Sequence, residues 1–146
     1  MEGKKFSVHI GVGVFLMRGN NILLGRRCNT GYMDGKYASI GGHLEQNEDL
    51  KHTVIRETLE EVGVEINAED LKFICLIRNG NNSDYINFFF MTDKFKGEPI
   101  NMEKDKCDEL IWKDISSIYM DELVAEKERR AIYNYLKGIT YDEYGF

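Results

Sequence analysis

The sequence lacks three features that would place it in other classes of protein. It has no basic excess, because 25 acidic side chains outnumber 19 basic ones and the formal net charge is −6. It has no disulfide framework, since its three cysteines are an odd number without regular spacing. It also has no long apolar run of the kind that spans a membrane or forms a secretion signal.

These absences narrow the classes of function. An acidic chain without a basic stripe is poorly suited to bind duplex nucleic acid or an anionic membrane. Unpaired cysteines predict reduced thiols and a cytoplasmic protein, and no Cys/His cluster has the spacing of zinc ligands. The length of 146 residues predicts one domain, spanning residues 1–146.

Residues 42–64 carry the strongest pattern in the chain. Their periodicity predicts a helix from about residue 48 to residue 62, with Asn47 as the N-cap and Gly63 as the left-handed stop. On the helical wheel three acids, Glu57, Glu60 and Glu61, cluster on one half. The other half carries apolar or methyl-bearing side chains, namely Leu50, Val54, Ile55, Thr58, Leu59 and Val62.

The acidic cluster is unfavourable by itself. Like charges at helical spacing cost about 0.2–0.5 kcal/mol per pair, and a bound divalent cation would reverse the sign of that interaction. A set of carboxylate oxygens suits Mg²⁺ or Mn²⁺ rather than zinc. The alternative interpretation is a solvated acidic face.

The same stretch resembles the Nudix box, whose pattern is G-x5-E-x7-R-E-U-x-E-E-x-G-U, with U a bulky apolar residue. The fixed positions are matched by Gly42, Glu48, Arg56, Glu57, Glu60, Glu61 and Gly63, and the last U by Val64. Thr58 occupies the first U, where its methyl can pack while its hydroxyl bonds back to the preceding turn. Weaker similarity to MutT-type members of the Nudix hydrolase superfamily extends through most of the chain.

The resemblance implies a fold and an activity. The fold would be an α/β or α+β domain in which a mixed β-sheet is sandwiched between α-helices. The activity would be Mg²⁺- or Mn²⁺-dependent hydrolysis of a nucleoside diphosphate linked to a group X, by water that the metal activates. The expected metal ligands are Glu57, Glu60, Glu61, the carbonyl of Gly41, and Glu103, which ends a family-like G-E-P-x3-E segment.

The resemblance also implies roles and partners. Arg56 would orient the glutamates by charge-assisted hydrogen bonds, Glu48 would support Arg56, and the general base would be Glu57 or a glutamate from a loop. The expected substrate is a small nucleotide, namely a nucleoside triphosphate, an oxidised nucleotide or a nucleotide sugar. Homodimers are frequent in this superfamily.

Other candidate binding residues have two interpretations each. Arg26 and Arg27 precede a glycine-bearing loop and are either surface charges or phosphate ligands. His43 flanks the box and is either structural or a phosphate contact. Gly11 and Gly13 lie on one face of a strand, where they allow close packing or form a flat floor for a base.

Alternation, apolar runs and helical spacing predict the remaining elements. Strands are expected at residues 8–16, 22–27, 71–78, 85–91 and 107–114, and a second helix over 123–136 that stops at Gly138. Residues 29–39 are expected to form a loop, residues 79–84 a polar turn, and the segment from Tyr141 a mobile tail.

Two other classes of function remain open. One is a non-catalytic Nudix-like nucleotide-binding or sensor domain, although such domains typically lose carboxylates of the box. The other is an isomerase of the isopentenyl diphosphate type, which would need a cysteine and a glutamate at positions that the spacing here does not support.

Overall fold

A computed structural model describes residue 3, residues 5–80 and residues 84–146. Within those residues, no helix is long and apolar enough to cross a membrane. Short 3₁₀ turns at Ala68–Asp70 and Ile115–Ser117 join some of the main elements. In chain order those elements are β1 (His9–Arg18), β2 (Asn21–Arg27), β3 (Tyr37–Ala38), β4 (Ile40–His43), α1 (Leu50–Val62), β5 (Lys72–Asn79), β6 (Tyr85–Thr92), β7 (Cys107–Asp114), α2 (Glu126–Lys137) and β8 (Tyr141–Tyr144).

The strands form one mixed, eight-stranded sheet. Its order is β3-β2-β1-β6-β5-β8, with β4 also paired to β1 and β7 to β2. The pairs β1–β6 and β5–β8 are parallel, and the other pairs are antiparallel. Because β1 pairs with β2, β4 and β6, its middle residues, 11–16, are buried.

The sheet carries an apolar core on each face. Successive strand residues point to opposite faces, so that Val14 and Leu16 of β1 pack with Val54 of α1, whereas Phe15 packs with Ile132 of α2. The predicted sandwich of a mixed sheet between helices is therefore confirmed. The three phenylalanines of β6 serve this core, since Phe89 and Phe90 are buried on opposite faces and Phe88 packs at its margin.

Helix α1 begins later than the sequence predicts. Its N-cap is Asp49, whose backbone is extended and whose side chain accepts a hydrogen bond from the His52 amide. The predicted cap, Asn47, has a φ of 68°. An N-cap residue typically has an extended backbone, so this left-handed conformation does not suit the N-cap position. Gly63 ends the helix at a φ of 70°, as predicted, and the Thr58 hydroxyl bonds to the Val54 carbonyl at 2.7 Å.

Three other expectations need correction. The segment from Tyr141 is not a mobile tail, because β8 extends the sheet by pairing in parallel with β5. The predicted loop 29–39 includes strand β3, and helix α2 begins at Glu126 rather than residue 123. Residues 81–83 of the predicted turn lie outside the described residues, although β5 and β6 pair antiparallel up to Asn79 and Tyr85.

Candidate active site

A cavity of about 660 Å³ opens between strand β4, helix α1 and the loop before β7. We call it the acidic cavity. It is lined by the predicted metal ligands, by Arg56 and by the three predicted phosphate contacts, namely Gly41, Glu57, Glu60, Glu61, Glu103, Arg56, Arg26, Arg27 and His43. The fold therefore gathers residues that are far apart in sequence around one space.

Helix α1 turns two of its acids toward the sheet, which the helical wheel did not predict. The buried positions include Thr53 as well as Val54, Thr58 and Val62, while Leu59, placed in the apolar half, is 50% exposed. The buried face is thus rotated toward Glu57 and Glu61. Thr53 can be buried there because its hydroxyl bonds to the Glu48 carboxylate and the Asp49 carbonyl.

The paired glycines of β4 make room for these acids. A Cβ atom at Gly42 would overlap the Glu57 carboxylate, and one at Gly41 would overlap the backbone of Val12 in β1. The amide of Gly41 also donates to Oε2 of Glu61 at 3.0 Å. That the Gly41 carbonyl is a metal ligand stays a prediction. The hydrogen bond from the Gly41 amide to Glu61 was not predicted from the sequence.

Arg56 links Glu48, which precedes helix α1, to two carboxylates of the helix. Its Nε and Nη2 atoms donate to the two oxygens of Glu48 at 2.7 and 3.1 Å. Its Nη1 donates to Glu57 at 2.8 Å and to Glu60 at 3.4 Å, and Nη2 also reaches the His43 carbonyl at 3.2 Å. A planar guanidinium can make this fork of bonds, whereas a lysine ammonium cannot.

The carboxylates differ in their electrostatic surroundings. Hydrogen bonds from Arg56 lower the pKa of Glu48 to about 2. Burial, and then the charges of Glu57 and Glu103, raise the pKa of Glu61 to about 9. Burial also raises the pKa of Glu57 against the opposing effect of Arg56. At Glu61, burial and the neighbouring acids therefore outweigh the hydrogen bond from Gly41 and the charge of Arg27, which both act to lower its pKa.

Glu103 reaches this cluster because the preceding segment docks on the C-terminal end of α1. The amide of Ile100 donates to the Val62 carbonyl at 3.1 Å, and that of Met102 donates to the Glu61 carbonyl at 2.9 Å. These bonds satisfy carbonyls that a helix end leaves without intrahelical partners. They also bring Glu103 close enough for its charge to act on both Glu57 and Glu61.

The donor set fits a hard divalent cation. Carboxylate oxygens of Glu57, Glu60, Glu61 and Glu103 line one cavity, and oxygen-only sites suit Mg²⁺ and Mn²⁺. In the described residues, no three His, Cys, Asp or Glu side chains already converge as a ligand set. Arg56 and the Gly41 amide hold oxygens of Glu57 and Glu61, so cation binding would require these side chains to reorient.

Addition of Mg²⁺ or Mn²⁺ is expected to raise the melting temperature of the metal-free protein by about 5 °C or more, because a cation that binds only the folded state stabilises it by mass action. The rise should fall by more than half in the Glu57→Gln, Glu61→Gln double variant. A double variant of two exposed acids outside the cavity, Glu69→Gln with Glu122→Gln, should keep the full rise. Equal shifts in the two double variants, measured by calorimetry, would place the cation elsewhere.

The two arginines of β2 differ in their partners. Arg26 is paired with Asp108 at 2.7 Å and Glu109 at 3.3 Å, so its charge is largely compensated. Arg27 instead donates to the Tyr32 carbonyl at 2.7 Å and the Thr30 hydroxyl at 3.1 Å. Its charge is not offset by an ion pair within the described part of the chain. Of the two predicted phosphate ligands, Arg27 is the better placed.

His43 is engaged by a tyrosine. Its Nε2 atom lies 2.7 Å from the Tyr85 hydroxyl, and the two rings stack at 5.5 Å. Burial lowers the pKa of His43, which favours the neutral ring. The contact to phosphate stays a prediction, and it would be a hydrogen bond rather than an ion pair at neutral pH.

A second cavity, of about 390 Å³, adjoins the first on the α2 face of the sheet. We call it the polar cavity. Its lining includes Gly11, Ser39, Asn79, Asn87 and Glu128, and it shares Gly41, Gly42, His43 and Glu61 with the acidic cavity. Its polar residues were not predicted from the sequence, although Asn87 shares a strand face with Phe89 and Met91 and interrupts that apolar row.

The two glycines of β1, Gly11 and Gly13, have different neighbours. A Cβ atom at Gly13 would lie 2.9 Å from the Phe89 ring and 2.6 Å from the Ser39 hydroxyl oxygen, so this glycine allows close packing. Gly11 borders the polar cavity instead. A Cβ atom at Gly11 would lie 2.6 Å from Oδ1 of Asn87, so close packing applies there too, and the flat floor for a base stays a prediction.

The mixed sheet between two helices, with a glutamate-rich helix facing a pair of glycines, defines a domain of the Nudix type. The sequence model of the NUDIX domain family matches residues 7–135, and the chain belongs to this family. The predicted family membership is thus confirmed.

Individual relatives match more distantly. The chain is 32% identical over 88 residues to "Uncharacterized Nudix hydrolase YvcI" of Bacillus subtilis, an alignment that covers 58% of this chain and 54% of the relative. It is 35% identical over 66 residues to an 8-oxo-dGTP diphosphatase of Proteus vulgaris, covering 45% of this chain and 57% of the relative. The alignments thus span little more than half the length of these curated relatives.

Among solved structures, the fold matches that of a MutT NUDIX hydrolase from Burkholderia pseudomallei. The TM-score is 0.80 at 21% sequence identity, and the match covers 88% of this chain and 98% of the other. At this identity the likeness shows the fold alone.

Proposed function

We propose that this protein is a Nudix pyrophosphohydrolase that cleaves a diphosphate linkage in a small nucleotide. The observation that carries the proposal is the acidic cavity, where Glu57, Glu60, Glu61 and Glu103 line one space that Arg27 also borders. A cavity this acidic would repel a free polyphosphate, so substrate binding requires divalent cations. The same carboxylates provide a place for the cations.

Glu57, Glu60, Glu61 and Glu103 are the residues that would hold Mg²⁺ or Mn²⁺, with the Gly41 carbonyl as a further candidate. When bound, the cation would neutralise phosphate charge and stabilise the charge that develops during in-line displacement at phosphorus. The chain itself would supply the binding positions, their orientation and a base.

Glu57 is the preferred general base. Arg56 holds its Oε1 atom at 2.8 Å, and the side chain is only 17% exposed. The other oxygen of this carboxylate can accept a proton from a water molecule as the water attacks phosphorus. Arg56 and Glu48 are then positioning residues, because they act on the reaction through Glu57 and Glu60.

The cavities and one relative support a substrate class. Two adjoining cavities suit a ligand with a phosphate chain and a base. One relative is named as an 8-oxo-dGTP diphosphatase, which favours canonical or oxidised nucleoside triphosphates, with nucleotide sugars as a further candidate. The expected homodimer and cytoplasmic location stay predictions.

A substrate panel tests the proposal. Nucleoside triphosphates, nucleotide sugars, ADP-ribose, dinucleoside polyphosphates and 5′-triphosphate RNA would each be incubated with Mg²⁺ and with Mn²⁺. We expect cleavage of a diphosphate linkage in at least one small nucleotide, and loss of that cleavage with chelator. Binding of nucleotides without turnover of any of them would instead support the sensor alternative.

Replacement of Arg27 by glutamine is expected to raise KM for the best substrate about tenfold or more with a smaller change in kcat, because a charged contact to phosphate is lost. Arg26→Gln is the matched control from the same strand. It should change KM by no more than about threefold, because Asp108 and Glu109 already compensate Arg26. Equal effects of the two substitutions on KM would remove Arg27 as the phosphate ligand.

A further inference from the structure

A closed loop after β2 holds the side chain of Arg27 in place. This loop, residues 28–36, joins β2 to β3, and its Thr30 lines both cavities. The Nε atom of Arg27 donates to the Tyr32 carbonyl at 2.7 Å, and Nη2 donates to the Thr30 hydroxyl at 3.1 Å. The guanidinium also lies over the Tyr32 ring, 5.4 Å from its centre. The loop therefore fixes the orientation of the Arg27 side chain.

These contacts use one edge of the guanidinium of Arg27 and leave another. The Nε and Nη2 atoms form the side edge of the planar fork, whereas Nη1 and the second proton of Nη2 form its end edge. Within the residues that the structure describes, only the side edge donates hydrogen bonds. The end edge can bind two oxygens of one phosphate at the same time. A phosphate can thus be bound without loss of the bonds to the loop.

Thr30 is the centre of the hydrogen bonds in this loop. A hydroxyl has one donor and two acceptor positions, and all three are used here. Its oxygen accepts from Arg27 at 3.1 Å and from the Tyr32 amide at 3.2 Å, and it donates to Oδ1 of Asp34 at 2.5 Å. Donation to a carboxylate makes the hydroxyl oxygen a better acceptor, because hydrogen bonds in a chain polarise one another. Asp34 therefore strengthens the bond between Thr30 and Arg27.

The backbone of the loop is held by the same aspartate. Met33 has a φ of 53°, a left-handed conformation that residues other than glycine seldom adopt. Asp34 accepts from the Gly31 amide at 2.9 Å, and at the base of the loop the Gly35 amide donates to the Arg27 carbonyl at 2.7 Å. An uncommon backbone conformation persists only where the surrounding contacts determine it. The loop is therefore a fixed support for Arg27.

We propose that Thr30 is a positioning residue for phosphate binding. Together with Asp34 it holds Arg27 so that the end edge of the guanidinium meets a phosphate of the substrate. Holding a long side chain in its bound orientation before binding lowers the entropy cost of ordering it. This inference rests on the proposed function, because it takes Arg27 as a phosphate ligand. If Arg27 instead had to leave the loop to reach phosphate, loss of the Thr30 hydroxyl would strengthen binding.

A double-mutant cycle between Arg27 and Thr30 tests the proposal without any need for turnover. The probe is methylenediphosphonate, a diphosphate analogue whose bridging carbon resists hydrolysis, and titration calorimetry with Mg²⁺ gives its Kd. Thr30→Val keeps the size of the side chain but removes the hydroxyl, and it should weaken binding about fivefold. Arg27→Gln should weaken binding about tenfold or more. In the Arg27→Gln background, Thr30→Val should change Kd by less than about twofold, because its effect acts through Arg27.

Three further variants define the role of the hydroxyl. Thr30→Ser keeps it and should bind the probe within about twofold of the wild-type protein. Asp34→Asn, a milder change, should weaken binding about threefold and should also lose its effect in the Arg27→Gln background. Thr140→Val makes the same change at an exposed threonine outside both cavities and should leave Kd unchanged. The melting temperature of each variant reports whether it folds, and in steady-state kinetics Thr30→Val should raise KM with a smaller change in kcat.

Three results would overturn the proposal. They are unchanged or tighter binding in Thr30→Val, a loss of affinity that is equal in the wild-type and Arg27→Gln backgrounds, and failure of the wild-type protein to bind the probe with Mg²⁺. The second result would mean that Thr30 only maintains the loop. The full expected pattern in a protein that hydrolyses no nucleotide would contradict the proposed function instead, and would leave the role of Thr30 standing.

Discussion

Replacement of Glu60 or Glu61 by glutamine is expected to lower kcat by about two to four orders of magnitude while the protein stays folded. Glutamine keeps the size of the side chain and one acceptor oxygen, but it removes the charge that would hold a divalent cation. Glu57→Gln should be at least as damaging, because Glu57 would also lose its role as the base.

The fold should tolerate these substitutions because glutamine keeps the size and shape of glutamate. At position 61 the amide oxygen can still accept from the Gly41 amide, which donates to Glu61 at 3.0 Å. Melting curves in chelator should therefore match or exceed that of the wild-type protein. Steady-state kinetics at saturating Mg²⁺ give kcat, and Glu69→Gln, an exposed acid outside the cavity, serves as the control. Wild-type rates in both Glu60→Gln and Glu61→Gln would remove the metal site from α1.

Replacement of Arg56 by lysine is expected to lower kcat about a hundredfold and to lower the free energy of unfolding by about 1–3 kcal/mol. The guanidinium bonds simultaneously to Glu48, Glu57 and Glu60, and a lysine ammonium cannot reproduce that fork. The loss should lie mainly in kcat rather than KM, since the substitution leaves the phosphate ligands in place and disturbs the orientation of the carboxylates.

Arg130→Lys is the control for this substitution. Arg130 also contacts two acids, Glu126 at 3.0 Å and Asp142 at 3.2 Å, but it lies outside both cavities. It should change stability modestly and leave kcat unchanged. If Arg56→Lys and Arg130→Lys had the same small effect on kcat, the guanidinium of Arg56 would not position the carboxylates.

The acidic cavity could be predicted because most of its parts are close together in sequence. The box supplies Arg56, Glu57, Glu60 and Glu61 from one helix, and helix periodicity alone brings them together. Glu103 could be anticipated only through the family pattern, since the contacts of Ile100 and Met102 with the end of α1 bring it to the cavity. Contacts between segments that are far apart in sequence leave no pattern in the local sequence.

The face of α1 that turns toward the sheet could not be predicted from the helical wheel. A helical wheel places Leu59 in the apolar half and the acids opposite, but the space over Gly41 and Gly42 decides which side chains turn inward. That space depends on the pairing of β4 with β1, which periodicity does not specify.

Isotope labelling during turnover tests the central claim most directly. The best nucleotide from the substrate panel would be hydrolysed in ¹⁸O-water with Mg²⁺, and the products analysed by mass spectrometry. Attack of water on phosphorus in a diphosphate linkage predicts one solvent oxygen per turnover on a phosphate of one product, with two phosphate-bearing products, or a nucleoside monophosphate and pyrophosphate from a triphosphate. Label found only on carbon, or release of inorganic phosphate alone from a terminal monoester, would contradict the account.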